Sequence, residues 1–302
     1  MLNRHLVPLA YVDAIARAGS IRKAAETLAI TSTALNRRVL ALEEQLGVPI
    51  FERLPRGVRL STAGELLIAH IRGQISDFDK VASQIADLSG ERRGHVSIAC
   101  SQALLPYFLP EQISRYRREH PAVTFGVALR DRAAAEQALF DLSADIAIVF
   151  EPVRLREIQV LVAVHQPIHA VMAVDHPLAD LDVIRLRDCA NFPICLPTAQ
   201  YGVRHLMDLA LFRSSFDPVI AIESDSFEFM RHYPGHEGLI SFQIPVGLPS
   251  LQPREGIVSR QVDTRDVPAG LIYLCQLKGR SLPVAAAKFA AQIEGVLDET
   301  YR

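Results

Sequence analysis

The 302-residue chain lacks the features that mark several large protein classes. It has no run of 18 or more apolar residues, so no membrane-spanning helix is expected. Its first residues, Met1-Leu2-Asn3-Arg4-His5-Leu6, pass straight into a helical pattern without a long apolar core or a small-residue cleavage site. No secretory signal is expected there, and a soluble cytoplasmic protein with no membrane partner is the default. The four cysteines, Cys100, Cys189, Cys195 and Cys275, are scattered and form no CxxC pair. That disfavours a disulfide framework or a zinc ribbon and leaves buried free thiols as the expectation. Enzyme signatures are missing as well: there is no HExxH, no P-loop lysine motif and no GxSxG elbow. The pairs His165/His169 and His232/His236 have suggestive spacing, but Pro167 interrupts the first and Pro234-Gly235 the second. A metal site needs three or four converging ligands. No catalytic residue, metal ligand or cofactor is therefore assigned.

Net charge is also scarce, at −2 for the whole chain. Taken as an average, this argues against a nucleic-acid binder. Residues 1–60, however, carry nine basic side chains against five acidic ones, a balance of +4. The rest carries 23 basic and 29 acidic residues, or −6. A small basic head on a mildly acidic body suits nucleic-acid binding, although a merely solvated basic face fits the charge almost as well. With 49% hydrophobic and 22% charged residues, the composition excludes a disordered chain. The length corresponds to two or three domains of roughly 100–200 residues.

Three helical segments are legible in the head. The first spans Leu6 to Ala16 and ends at Gly19; Ser20 caps a second, Ile21 to Leu28; Thr31 caps a third, from Ser32 to Leu46, stopped by Gly47. The tight connection Ala29-Ile30-Thr31 gives a helix-turn-helix pattern. At about 100° per residue, Leu35, Val39, Leu42 and Leu46 share one arc of the third helix and should face the core. Thr33, Asn36, Arg37 and Leu40 lie roughly opposite, with Ser32 on the flank. Hydroxyl, amide and guanidinium groups near the start of an exposed helix suit base-edge reading in a major groove. Ser20 and Arg22, at the start of the second helix, complete the candidate set. Ile50 to Arg53 and Val58 to Leu60, joined through Leu54-Pro55-Arg56-Gly57, read as a hairpin. Arg53 and Arg56 make it a basic wing that reaches phosphate or a narrow minor groove.

These residues resemble the LysR-type transcriptional regulators. The resemblance is carried by Gly19-Ser20-Ile21-Arg22-Lys23-Ala24-Ala25-Glu26-Thr27-Leu28, by Ala41-Leu42-Glu43-Glu44-Gln45-Leu46-Gly47-Val48-Pro49-Ile50-Phe51-Glu52-Arg53, and by Gly57-Val58-Arg59-Leu60-Ser61-Thr62-Ala63-Gly64-Glu65. It covers nearly the whole head. The chain departs from the family where Ser-Gln-Pro-Ala is common and Thr31-Ser32-Thr33-Ala34 stands here. Asn36 replaces a common serine and Leu40 a common basic residue. These departures bear on base preference, not on fold.

Thr62-Ala63-Gly64-Glu65 fits a capping box opening a helix that runs to Leu88, before Ser89-Gly90. Ile71, Phe78 and Ile85 recur every seven residues, and Leu67, Gln74, Val81 and Leu88 share a second heptad position. Such a seam suggests a paired helix, with Gln74 setting register. Packing on its own domain is the alternative. In the resembled family this helix links two protomers, which implies a homodimer or homotetramer.

Beyond Gly94 strands and helices alternate, as in a parallel sheet flanked by helices. The expected strands are Val96–Cys100, Val123–Leu129, Asp145–Phe150, His169–Val174, Phe192–Leu196, Val219–Glu223, Gly238–Phe242 and Leu271–Leu277. The expected helices are Leu104–Glu119, Ala133–Leu142, Val203–Phe212, Phe227–Tyr233 and Val284–Leu297. The body resembles the family's effector domain, which looks like a periplasmic binding protein. The overall fold class is then α+β. A winged helix-turn-helix domain occupies 1–60 and a linker helix 61–90. An effector domain occupies 91–302, divided into subdomain I (91–163 and 268–302) and subdomain II (164–267). Ligands in open α/β sheets lie beyond the carboxyl ends of strands. That places Ser101, Gln102, Arg130, Phe150, Thr198, Gln200, Tyr201, Gly202, Asp225, Ser226 and Gln243 around a cleft suited to a small organic anion. Their convergence rests on the resemblance, and each alone could be an ordinary cap or loop residue. The implied partners are double-stranded promoter DNA, a small-molecule effector and a second copy of the chain, with RNA polymerase a further candidate. A solute-binding or enzymatic α/β body with an incidental helical head is the competing reading.

Overall fold

A computed structural model describes residues 7–88, 94–153, 157–214, 218–248 and 256–301, with the backbone alone at positions 79, 83, 84 and 86–88. Leu6, the Leu88 side chain and the Ser89-Gly90 stop lie outside the described residues. The chain forms two compact units, residues 1–82 and 83–302.

In the first unit, α1 (Val7–Ala18), α2 (Ile21–Thr27) and α3 (Ser32–Leu46) follow local signals closely. Ser20 Oγ accepts from the Lys23 amide at 3.4 Å, and Thr31 Oγ1 from the Ala34 amide at 3.2 Å. These caps satisfy donors that the helices cannot pair internally. Gly47 ends α3 in the left-handed region. Val12, Ile15, Ala24, Ala25, Leu35 and Val39 close a core with Ile50, Phe51, Ile68 and Ile71. Leu42 is partly buried against it, but Leu46, expected to face inward, is 47% exposed in the last turn. Strands β1 (Phe51–Leu54) and β2 (Gly57–Leu60) pair antiparallel, Phe51 opposite Leu60 and Leu54 opposite Gly57. Helix α4 runs from Thr62 to Leu88. Its cap is Ser61, whose Oγ accepts from the Gly64 amide at 3.0 Å. The capping box expected at Thr62 is thus replaced by a simple cap one residue earlier: Thr62 is already helical, and Gly64 rather than Glu65 stands at the third position.

The second unit contains two mixed sheets. The first, in the order β4-β3-β5-β13-β6, joins β3 (Gly94–Cys100), β4 (Val123–Leu129), β5 (Ile146–Phe150), β6 (Ile158–Gln166) and β13 (Gly270–Leu277). The second, in the order β10-β9-β11-β7-β12-β8, joins β7 (His169–Ala173), β8 (Val183–Ile184), β9 (Ile194–Pro197), β10 (Ile220–Ser224), β11 (Ile240–Gln243) and β12 (Ile257–Val262). Neither is wholly parallel, contrary to expectation. Strand β13 is antiparallel to β5 and β6, and β7 to β11 and β12, because β13 and β7 follow crossovers between the sheets.

Strand β6 was not among the expected strands, and the boundary expected at 163/164 cuts through it. The chain leaves the first sheet only after Gln166 and returns between Val262 and Gly270. The single expected helix Leu104–Glu119 is instead a 3-10 turn at Gln102–Leu104 and α5 (Phe108–Glu119). Pro106 has no amide to continue a helical ladder through the gap. Helices α6 (Arg132–Phe140), α7 (Gly202–Arg213), α8 (Phe227–His232) and α9 (Val284–Tyr301) complete the unit. One apolar core runs through both halves, from Phe108 and Phe289 to Ile168, Met207 and Phe242. All four cysteines are buried and free. Burial pushes the Cys100, Cys189 and Cys275 thiols up to about 12, and that of Cys195 to about 11. None is therefore a reactive thiolate near neutrality. No described helix is long and apolar enough to cross a membrane.

Candidate nucleic-acid interface and effector cleft

On α3, Thr33 and Arg37 are exposed and Asn36 is half-buried. Ser32, in the first turn, is exposed, as is Leu40 at 45%. The wing reaches this face directly: Arg53 Nη2 donates to Asn36 Oδ1 at 3.0 Å. A second tie holds the wing's base. Glu43 Oε1, on α3, accepts from the Ile50 amide at 2.7 Å and from the Phe51 amide at 3.1 Å. The wing also docks against the α1–α2 turn, where the Val58 amide donates to Gly19 O at 3.0 Å. Gly57 makes this approach feasible. Its φ is +140°, and a Cβ there would lie 2.3 Å from Gly19 O.

Arg56 occupies the exposed wing tip and Arg22 an exposed turn of α2, where it lies 3.8 Å from Glu26. Ser20 is half-buried and its hydroxyl is engaged as a cap. Sequence reading passed over two residues here. Glu43 is a positioning group, visible only once α3 and β1 are neighbours. Arg38 lies over the Tyr11 ring at 5.2 Å and belongs to the packing. Arg59 pairs with Glu52 at 2.6 Å, which neutralises that arm of the wing.

In the second unit, Ser101, Arg130, Phe150, Tyr201 and Gly202 line one void at the carboxyl ends of β3, β4, β5 and β9. Asp131, Arg132, Phe227 and Ile244 join them, though no sequence signal had selected them. Arg130-Asp131-Arg132 as a unit was the available hint. Asp131 Oδ1 caps α6 by accepting from the Ala134 amide at 2.8 Å, and Arg132 Nε is buried without a partner. The void is narrow, with a volume of ≈ 10 Å³. That is room for about one water. Gly202 sits so close to Phe150 that a Cβ would meet the ring at 2.8 Å.

Gln102 does not line this void but bonds two residues that do, Tyr201 and Phe227. Its Nε2 donates to Tyr201 Oη at 2.9 Å and to the Asp225 carbonyl, and its Oε1 accepts from the Phe227 amide at 3.0 Å. Asp225 thus contributes a backbone group, with its side chain on the exposed side. Ser226 caps α8, accepting from the Phe229 amide at 3.2 Å. Thr198 Oγ1 is buried and unpartnered. Six candidates are not among the residues lining the void: Gln102, Thr198, Gln200, Asp225, Ser226 and Gln243. Gln243 is buried and donates to Phe227 O at 2.8 Å, which makes it a structural group, and Gln200 is exposed and does not line the void. Among the described residues no group of three or more His, Cys, Asp or Glu is placed to hold a metal.

Residues 6–65 match the family described as bacterial regulatory helix-turn-helix protein, lysR family, and residues 89–298 match the LysR substrate binding domain. A probable RuBisCO transcriptional regulator of Synechocystis is 28% identical over 230 residues, spanning 74% of this chain and 67% of the relative. Full-length CbnR, solved in complex with its target DNA, superposes with a TM-score of 0.64 at 17% identity over 95% of this chain and 98% of that one. The effector-binding domain of QuiR in complex with shikimate gives 0.59 at 20% identity, covering 70% of this chain and all (100%) of that domain.

Proposed function

The chain belongs to the lysR family of bacterial regulatory helix-turn-helix proteins, and from that premise we propose how this particular chain reads DNA and senses a small molecule. It acts as a transcriptional regulator, not an enzyme. Thr33, Asn36 and Arg37 read base edges, with Ser32 beside them, while Arg53 and Arg56 hold phosphate or minor groove. Ser20 and Arg22 lie at the rim of the same contact. The observation that carries this reading is the bond from Arg53 to Asn36, which ties the basic wing to the helix proposed to read bases. Residues 1–60 serve DNA, 61–90 join protomers, and the remainder senses the effector, in the cytoplasm where the DNA lies.

The cleft takes a small organic anion. Arg130 and the unpartnered Arg132 Nε supply donors around it. Because the void holds about one water, the two halves must part to admit a ligand. A ligand acts only through its different affinity for the open and closed arrangements. The complexes of structural neighbours with DNA and with shikimate support the two kinds of partner. A homodimer or homotetramer through α4, and contact with RNA polymerase, complete the reading. A gel shift across salt tests it, with wild type, Arg37→Ala and Arg53→Ala on promoter and unrelated duplexes. Salt-dependent binding that both substitutions weaken is expected. Equal weak binding of all three to any duplex overturns it.

A further inference from the structure

A larger concavity lies on the half built from the second sheet and shares no lining residue with the cleft void. It has ≈ 350 Å³ open to a water-sized sphere, within the usual range of small-ligand sites, about 300–1,000 Å³. Four arginines from three separate stretches line it. Arg185 and Arg187 flank Leu186, Arg213 ends α7, and Arg265 lies in the crossover that returns to the first sheet.

Their charges are only partly spent. Arg185 is fixed by Asp266, with Nε and Nη2 each donating at 2.7 Å. Arg265 pairs with Asp263 at 2.5 Å, and its side chain remains 75% exposed. The two aspartates are held below the usual carboxylate range by these guanidinium hydrogen bonds, so both are anionic near neutrality. Arg187 approaches Asp188 only to 3.9 Å with its side chain 74% exposed. Arg213 is exposed and pairs with no carboxylate among the described residues. Four guanidiniums therefore face three carboxylates. The surplus falls on Arg213, with Arg187 held only loosely by Asp188, while the bidentate Asp266 pair anchors the wall between them. Leu186, Ala210 and Pro268 supply an apolar floor.

Guanidinium forks suit the tetrahedral oxygens of phosphate, and a dianion makes better use of several cations than a monocarboxylate does. We propose that this arginine-lined groove is a second effector site that takes a phosphorylated small molecule, with Arg187 and Arg213 gripping the phosphate and the carbon skeleton resting on the apolar floor. A ligand there joins α7 to the returning crossover, and so bears on how the two halves hinge.

The test uses the full-length protein and inorganic pyrophosphate, with sodium chloride at matched ionic strength as control. Pyrophosphate is expected to raise Tm progressively, as any ligand selective for the folded state does. Direct titration of Arg187→Gln/Arg213→Gln should show Kd raised at least about tenfold, since two charge-assisted hydrogen bonds are lost. Arg37→Gln/Arg53→Gln, in the basic head, should retain wild-type affinity. Both groove side chains are exposed, and Arg213→Gln alone serves if the double variant does not fold. Three results overturn the proposal: no rise beyond the chloride control, equal affinity in the groove variants, or loss only in the head variant. Because the head variant separately reports DNA binding, failure of the groove is distinguishable from failure of the regulator reading.

Discussion

Gln102 of the first half and Phe227 of the second are joined across the cleft, the Phe227 amide donating to Gln102 Oε1 at 3.0 Å. The same carboxamide donates to Tyr201 Oη at 2.9 Å and to the Asp225 carbonyl. Three bonds from one side chain make a latch, and two of its partners, Tyr201 and Phe227, line the proposed effector cleft. Gln102→Ala is expected to lower the stability of the closed body by about 1–2 kcal/mol, the scale of a few part-exposed hydrogen bonds. Denaturant unfolding of both proteins checks this. An unchanged midpoint means the latch contributes nothing to closure.

In the head, Arg53 and Asn36 share a bond, and the base reading proposed for Asn36 would draw on the same carboxamide. An asparagine reads adenine with both its amide nitrogen and its oxygen, and here Oδ1 is already taken by Arg53. Asn36→Ala is expected to cost about 1–3 kcal/mol on the preferred site and little on unrelated duplex. Arg56→Ala should weaken both duplexes alike and reduce the salt slope by about one. Fluorescence anisotropy titrations at several salt concentrations separate the two patterns. A uniform loss from Asn36→Ala removes it from the base-reading set.

Gly57 is where the wing meets the α1–α2 turn. At φ +140°, with Gly19 O 2.3 Å from the position of an added Cβ, Gly57→Ala is both strained and crowded. A loss of about 1–3 kcal/mol is expected, with the head unfolding at lower temperature than the body. Differential scanning calorimetry reads both transitions. An unaltered lower transition shows that the wing is not held as described.

His169 opens β7 at the first crossover, with Nδ1 buried and without a partner. Burial lowers its pKa from 6.5 to about 4. The unfolded chain then binds a proton that the folded chain refuses, so stability falls as pH drops from about 6.5 towards 4 and levels off below. The contribution is at most about 3 kcal/mol. His176 is lowered for the same reason and adds to the same slope, whereas Asp263 and Asp266 act only below their ordinary range. His169→Gln should flatten the dependence of unfolding free energy on pH in this window. A slope equal to wild type rules His169 out.

The head was legible because its signals are local. Ser20, Thr31 and Gly47 act on amides and carbonyls a few residues away, so caps and turn could be read from the chain alone. Ser61 was missed for Thr62 because adjacent hydroxyl residues both satisfy a capping pattern, and only the docked strand decides between them. Strand β6 went unread although Ile158, Val162, Val164 and Gln166 are buried in near alternation. Its partner, β13, lies more than a hundred residues away, and pairing across that distance leaves no local mark. The cleft was half legible for the same reason. Strand ends pointed to Ser101, Phe150 and Gly202, but Arg132 and Phe227 enter it only through tertiary packing.

The heptad seam of α4 divides in two. Ile71 is fully buried in the head's own core and Leu67 is partly buried against it, so these residues are already satisfied within one chain. Val81 and Ile85 are 49% and 59% exposed, Gln74 is exposed and Phe78 is half-buried. The proposed pairing between protomers would therefore fall to the later turns, where a second apolar helix would remove this surface from water. The two ends of the seam should respond differently to substitution. Ile71→Ala is expected to destabilise the head by about 2–5 kcal/mol, as truncation of a buried side chain does, whatever the protein concentration. Val81→Glu with Ile85→Glu should leave the melting of the head unchanged while shifting the oligomer towards monomer. Sedimentation velocity over a concentration series reads this directly. Persistence of the wild-type oligomer in that double variant would move the protomer contact elsewhere on the chain.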